Sequence, residues 1–314
     1  MADRGKTIFE MMKKRERISF SSVPGKAKGD EHSWPRITVV TPSFNQGEFL
    51  EDTIKSVLSQ GYPNLEYIVM DGGSTDGSSE IIKKYEKHLY HWESVTDKGQ
   101  ADAIRKGFSM ATGDILAWLN ADDCYAEGAL FRIAELFKQD EGDIFYGDEY
   151  VIDPSGGIAG SRCSLPFPGR TLGLAFFIFG GFWTFQTTSF WKKKFYDKCG
   201  GVDPGYFFTM DVDLFIRMLL AGARFRYVRK HLAYYRIHEG SKSCRSQDKR
   251  VSERRRLAAV YGERVPFFLR NRPVMRALGA LYFYGHIFTG NIEFLFYEIL
   301  RRTGVIKKHP LMPY

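Results

Sequence analysis

The chain has 314 residues, enough for one large domain or a domain with an appendage, and its 44% hydrophobic and 15% aromatic content excludes a globally disordered protein. Its formal charge of +8 is uneven: Lys242 to Tyr314 carries 15 Lys and Arg against 5 Asp and Glu, and residues 1–241 are nearly neutral. A basic tail of this kind suits an anionic surface or a solvated helical face; no nucleic-acid motif accompanies it, so no nucleic-acid partner is expected.

Residues 1–34 are polar and charged and read as an N-terminal extension. Regular alternation then begins. "RITVVTP" (Arg36–Pro42) is a β-branched strand, and Phe49, Ile54, Val57 and Leu58 recur at helical spacing before "GYPN". "LEYIVMD" is a second strand, and "DGGSTDGS" a tight turn into a helix at Ser79–His88. A short strand near His91–Val95, a helix ending at Gly113, the strand "DILAWLN" and the helix "EGALFRIAELFKQ" complete the series. Such alternation predicts βαβ units, with a mainly parallel sheet covered by helices on both faces.

Past Asp153 the pattern loosens. A helix returns at Asp211–Gly222, a strand at "FRYVR", and the tail from Ser246 is helical and basic, with breaks expected at Pro266 and Pro273. Two stretches lack charge, Thr171–Trp191 and Ala277–Ile292. The first is long enough to span a bilayer but is interrupted by Gly180-Gly181 and filled with Thr, Gln and Ser, so burial or interfacial contact is the expectation. The four cysteines lie far apart without a CxxC, there is no Asn-x-Ser/Thr sequon, and the first residues show no signal pattern; a cytoplasmic location fits, with the tail at the inner face of the membrane.

Chemistry gathers where strands end. The first strand closes at Thr41-Pro42-Ser43, the second at Asp71, the third at Asp97-Lys98-Gly99 and the fourth at Asn120-Ala121-Asp122-Asp123. Open α/β sheets bind ligands at that edge. Several carboxylates at one edge repel unless a cation sits among them, and an all-oxygen set suits Mg²⁺ or Mn²⁺ with a diphosphate rather than zinc. "TPSFNQG" lacks the glycine pattern of a dinucleotide fold, and Gly5-Lys6-Thr7 lacks the upstream glycine of a P-loop.

Three segments in order, "ITVVTPSFNQGEFLEDTIKSVLSQGYPNLEYIVMDGGSTDGS", "GDILAWLNADD" and "QTTSFWKKKFYDKCGGVDPGYFFTMDVDLFIRM", resemble glycosyltransferase family 2 over roughly Arg36 to Ser243. The resemblance implies a GT-A fold at 35–243 followed by a basic helical tail at 244–314. It implies an inverting transfer from a nucleoside-diphosphate sugar, UDP being favoured, to a glycan or lipid-linked acceptor in cell-surface polysaccharide or glycolipid synthesis. Residue by residue, it places Thr41, Pro42, Ser43, Asp71, Gly72, Asp97, Lys98, Asp102, Asn120, Ala121 and Asp122 at the nucleotide sugar. Asp122, Asp123 and His238 fall at the metal, and Asp211 at the catalytic base. Trp183 and Gln186 are acceptor candidates. Gly72, Asn120 and Met210 stand where the family more often has acidic residues. Asp211 is preferred over Asp213 because Asp213 lies four residues before Arg217 on one helix, where the two can pair; Asp102 is likewise placed to pair with Arg105 or Lys106. Arg236 and Lys242, flanking His238, are candidates for a phosphate clamp. The competing reading is a non-catalytic GT-A-like module that binds a glycan or partner; the retained acidic residues argue against it.

Overall fold

The computed structural model describes residues 17–20, 33–179, 184–242 and 247–288. The chain forms two compact units that interleave in sequence. A sheet unit takes Ser19–Glu149 and Thr184–Tyr235, and a tail unit takes Met1–Ile18, Tyr150–Trp183 and Arg236–Tyr314. This differs from the three consecutive segments suggested by the sequence, because the basic tail shares its unit with a stretch from mid-chain. Most of the expected extension, residues 1–16 and 21–32, lies outside the described residues.

In chain order the elements are β1 (Ile37–Ser43), α1 (Gly47–Leu58), β2 (Leu65–Asp71), α2 (Ser78–Lys84), β3 (His91–Ser94), α3 (Gln100–Ser109), β4 (Ile115–Trp118), β5 (Cys124–Tyr125), α4 (Ala129–Lys138) and β6 (Ile144–Ile152). They continue with β7 (Ile158–Arg162), α5 (Arg170–Phe179), β8 (Phe190–Lys192), α6 (Lys193–Lys198), α7 (Met210–Leu220), β9 (Phe225–Arg236), α8 (Gln247–Tyr261) and α9 (Arg272–Phe288). The strand order is β3-β2-β1-β4-β8-β6-β9-β5, with β7 on β6. β1 pairs in parallel with both β2 and β4, and β2 with β3, whereas β8 joins β4 antiparallel. The chain therefore winds outward from β1 to β3 and returns on the other side of β1. That reversal puts a crevice beyond the carboxyl ends of β1 and β4, the usual ligand position in an open α/β sheet.

Alternation along the strands builds two cores. Ile37 and Val39 of β1, with Ile115 and Ala117 of β4, pack against Leu50, Ile54 and Val57 of α1 and Leu130 and Ile133 of α4. Val40 belongs to the opposite face, where α3 lies so close that a Cβ on Gly107 would sit 2.6 Å from Val40 Cγ1. Beneath α3, Phe108, Trp118 and Trp191 meet edge to face or tilted, with centroids 5.4–6.3 Å apart. The unit's start is pinned by Trp34, which packs edgewise on Tyr62 and Phe131 with Lys138 Nζ 4.7 Å from its ring.

Two loops at the site edge are stitched together. Asn45, in the left-handed region at φ 51°, accepts from Thr75 N through Oδ1 at 2.9 Å, and its own N–H donates to Ser74 Oγ at 2.7 Å. Gly47 N, at the start of α1, donates to Asp76 Oδ2 at 2.7 Å, while Ser78 N and Oγ, at the start of α2, donate to Asp76 Oδ1. One carboxylate thus ties two helix N-termini, where orphan N–H groups need acceptors. Elsewhere, Asp143 joins the start of β6 to the residue preceding β9: Arg224 N and Nε donate to Asp143 Oδ2, and Lys192 Nζ lies 3.2 Å from Oδ1. Burial pushes the Asp143 carboxyl up, but the bonds from Arg224 and Lys192 outweigh it and hold the group at about 2.

Where the chain enters the tail unit, the end of β6 and β7 form a hairpin whose turn is closed by Asp153 N to Gly157 O and Gly157 N to Asp153 Oδ1, both at 2.9 Å. The charge-free stretch at Thr171 becomes α5, ten residues long, with Leu174, Phe176, Phe177 and Ile178 buried. α8 and α9 pack against it, and Tyr282 Oη donates to Pro166 O at 2.6 Å. Burial accounts for this stretch's hydrophobicity, and among the described residues no helix is long and apolar enough to cross a membrane. Pro266 does precede a short 3₁₀ turn, but Pro273 lies in the first turn of α9, where its missing N–H costs nothing.

Asp76→Ala should lower stability on the order of 1 kcal/mol by orphaning the two helix starts; an unchanged melting temperature would contradict the stitch. Gly107→Ala should cost about 1–3 kcal/mol through overpacking against Val40, measured by urea unfolding. Folding depresses the Asp143 pKa, so its contribution is complete above the unfolded value near 3.9 and is lost as pH falls through about 2. The stability gap between wild type and Asp143→Asn should therefore be flat from pH 8 to about 5 and shrink below about 4. A gap that widens on acidification would reverse the sign.

Candidate functional site

The carboxyl ends of β1, β2 and β4 converge in the sheet unit, and the residues there fall into two bonded groups. The first surrounds Asp71, which is 2% exposed. Its carboxylate accepts from Ser74 N at 2.9 Å, Ser74 Oγ at 2.5 Å and Ser94 Oγ at 2.6 Å. It closes the Gly-rich turn and fastens it to the end of β3. Gly72 N donates to Ser43 O at 2.9 Å, joining that turn to β1. A Cβ at Gly72 would lie 3.1 Å from Asp97 Oδ2, so the absence of a side chain leaves room for a carboxylate that arrives from another loop. Asp97 also accepts from Gly99 N at 2.7 Å.

The second group is centred on Asn120. Gln100 Nε2, at the start of α3, donates to Asn120 Oδ1 at 2.8 Å. Asn120 Nδ2 donates to Asp123 Oδ2 at 3.0 Å and lies 3.4 Å from Gln186 Oε1. Gln186 Nε2 in turn donates to Trp118 O at 2.6 Å, at the end of β4. From α1, Thr53 Oγ1 reaches the carbonyls of Ala121 and Asp123 at 2.9 and 2.8 Å. Asp123 is 1% exposed, whereas Asp122 is half-buried. A short turn is thus held from three directions, with one carboxylate fixed inside and the next at the surface. Asp122 and Asp123 present oxygen donors on a rigid turn, which fits a hard divalent cation.

Other expected residues have more local partners. Thr41 is fully buried and its hydroxyl meets Tyr67 Oη at 3.0 Å, within the core beneath the strand end. Pro42 is buried in β1 beside it. Ser43 is 4% exposed, and its hydroxyl has no hydrogen-bond partner among the described residues. Most buried hydroxyls have a partner, so this one keeps its hydrogen-bonding capacity at the strand end. Asp102 accepts from Lys98 N at 3.1 Å and pairs with Lys106 at 3.6 Å; the Lys98 N–H is the main cause that holds its carboxyl below the usual range. Lys98 itself is exposed.

Asp211 sits half-buried in the first turn of α7. Two turns of sequence logic hold here: Asp213 is 1% exposed and accepts from Arg217 Nε and Nη2 at 2.8 and 2.6 Å, so it is committed to an ion pair. His238 belongs to the tail unit, 8% exposed, with its N–H donating to Ser241 Oγ. Arg236, expected as a phosphate clamp, is 1% exposed and donates to the carbonyl of Pro154 at 2.9 Å, which ties the hairpin turn instead. Trp183 and Cys244 lie outside the described residues, and Cys124, Cys163 and Cys199 form no disulfide among the described residues. Gln100, Ser74, Ser94 and Asn45 were not anticipated. Their only sequence signal is position, one at a helix start and three in strand-end turns.

Comparison with known proteins bears on this arrangement. An uncharacterized glycosyltransferase of Nostoc sp. is 29% identical over 223 residues, 65% of each chain. A putative teichuronic acid biosynthesis glycosyltransferase of Bacillus subtilis is 36% identical over 110 residues, 33% of this chain and 43% of that protein. The chain therefore spans less than two thirds of the length of either relative. The structure of Staphylococcus aureus TarS residues 1–349 in complex with UDP-GlcNAc superposes with a TM-score of 0.58 at 18% identity, covering 80% of this chain and 72% of that one. That likeness confirms the GT-A fold expected above. The family model described as glycosyl transferase family 2 matches residues 38–201, more than half of the molecule, and the chain belongs to that family.

Proposed function

We propose that this protein transfers a sugar from a nucleoside-diphosphate sugar to an acceptor hydroxyl with inversion, in the synthesis of a cell-surface polysaccharide or glycolipid. The observation that carries this is the Asn120–Asp123 turn, a buried, braced carboxylate next to a surface carboxylate at the sheet's switch point. The B. subtilis relative is named for teichuronic acid biosynthesis and the S. aureus structure for its complex with UDP-GlcNAc, which support the polymer class and a uridine donor.

The division of labour follows from the residues. Asp122 and Asp123 would hold Mg²⁺ or Mn²⁺, which when bound neutralises the charge of a leaving diphosphate. Asn120 fixes Asp123 through its amide, and Gln100 and Gln186 fix Asn120. Ser43 offers a hydroxyl, and Asp71 and Asp97 line the turn beside Gly72, as a frame for the nucleotide. Asp211 accepts the acceptor's proton while its hydroxyl oxygen attacks the anomeric carbon from the side opposite the diphosphate. Asp213 cannot share that role while Arg217 neutralises it.

A panel of sugar nucleotides with and without Mn²⁺, scored by nucleotide release, tests the activity. No release with any donor and a full set of acceptors would favour a binding module. Asp211→Asn should reduce turnover at least about 100-fold and keep donor affinity within a few-fold; equal losses in both would move Asp211 out of the chemistry. Asn120→Ala should raise the Mn²⁺ concentration for half-maximal donor binding about tenfold or more, because the carboxylate it braces is freed. No change in metal dependence would reduce the amide network to packing.

A further inference from the structure

The tail unit carries a second feature with no part in sugar transfer. Between α8 and α9 the chain makes a 3₁₀ turn, Phe267–Arg270. Phe267 is 86% exposed and Phe268 65%, adjacent rings with almost no protein cover. Phe267 is the most exposed large apolar side chain among the described residues. Ordinarily one or both would turn inward, since burying a phenyl ring is strongly favourable. Here the neighbouring side chains take the inward positions. Val265 is fully buried, Leu269 is 5% and Met275 2% exposed, and these anchor the turn from below. Arg270 folds back and donates from Nε to Val265 O at 2.8 Å and from Nη2 to Glu263 O at 2.9 Å. Leu269 N bonds to Pro266 O at 2.9 Å. The turn is a clamped tip that holds two rings outward.

Its surroundings are cationic. Residues 247–288 contain nine Lys and Arg against three Asp and Glu. Arg254, Arg255 and Arg256 are consecutive and exposed on α8, so at about 100° per residue they cover more than half of the helix circumference. Cations spread around a helix match a diffuse negative field better than a single ion-paired face on a protein. Leu281, 69% exposed on α9, adds apolar surface. A protruding aromatic pair with scattered arginines has the chemistry of a segment that enters the headgroup boundary of an anionic bilayer.

We infer that the Phe267–Phe268 tip of the tail unit inserts into anionic phospholipid membranes, with the arginines of α8 supplying the long-range attraction. This locates the anionic-surface preference of the tail in a defined turn rather than in the charge-free stretch beginning at Ala277. Membrane docking and sugar transfer are separable, so either can fail while the other stands.

The test uses the full-length protein and vesicles of phosphatidylcholine with about one third phosphatidylglycerol, beside pure phosphatidylcholine. Flotation should show binding to the anionic vesicles alone, weakened by salt. The paired substitution Phe267→Ser with Phe268→Ser, at exposed positions and checked for an unchanged melting temperature, should weaken binding about tenfold or more at constant salt, with nucleotide release from the sugar donor in solution unaffected. Phe267→Trp should gain fluorescence quenching by brominated lipids beyond that of the native tryptophans. Equal vesicle binding by wild type and the Ser pair, or no added quenching, overturns insertion by this tip. So does a concentration-dependent dimer that the Ser pair abolishes without any vesicle binding, since the rings would then cover a second copy.

Discussion

A single side-chain amide organises the chemical edge of this molecule. Asn120 lies just past β4 and bonds to the start of α3, to the carboxylate of Asp123 and toward Gln186, which itself grips the last residue of β4. Each partner is a polar group that would otherwise have to find water at the rim of a core, and unsatisfied groups there are costly. An amide donates and accepts at once and carries no charge. An aspartate in its place could accept from Gln100 but would face the Asp123 carboxylate with a like charge. The neutral residue therefore lets one carboxylate lie buried beside it.

The same principle recurs at three more carboxylates of the edge, which are placed by backbone N–H groups and hydroxyls, while Asp102 also pairs with Lys106. Asp71 takes an N–H and two serine hydroxyls, Asp76 takes two helix starts, and Asp97 takes Gly99 N. The guanidinium pairs sit elsewhere, at Asp143–Arg224 and Asp213–Arg217. A rim built in this way keeps its negative potential, as the cation proposed at Asp122 and Asp123 requires.

Much of this was legible in the sequence, for local reasons. β2 runs Leu65–Asp71, the bounds read from its apolar run, and α7 begins one residue earlier than Asp211. The Asp213–Arg217 pair follows from one helical turn of spacing. Where partners are remote, the reading stopped. Asn120 was read as a nucleotide-sugar candidate that departs from a family pattern, and its bracing role was not, because Gln100 and Gln186 stand 20 and 66 residues away. β8 is three residues long inside an aromatic run, too short to show a period. Arg236 looked available beside His238, and only the fold shows its guanidinium spent on the carbonyl of Pro154.

The interleaving of the two units has a consequence for how the chain is made. α5 carries Leu174, Phe176, Phe177 and Ile178, and the helices that cover it, α8 and α9, begin 68 and 93 residues past its end. During synthesis α5 leaves the ribosome well before its cover exists. For that interval an apolar segment of ten residues is a ligand for chaperones or for another nascent copy. The tail is therefore not an appendage to be trimmed for convenience in expression. A chain that stops before α8 would keep the Asn120–Asp123 turn intact in sequence and still present a sticky helix that never finds its partner.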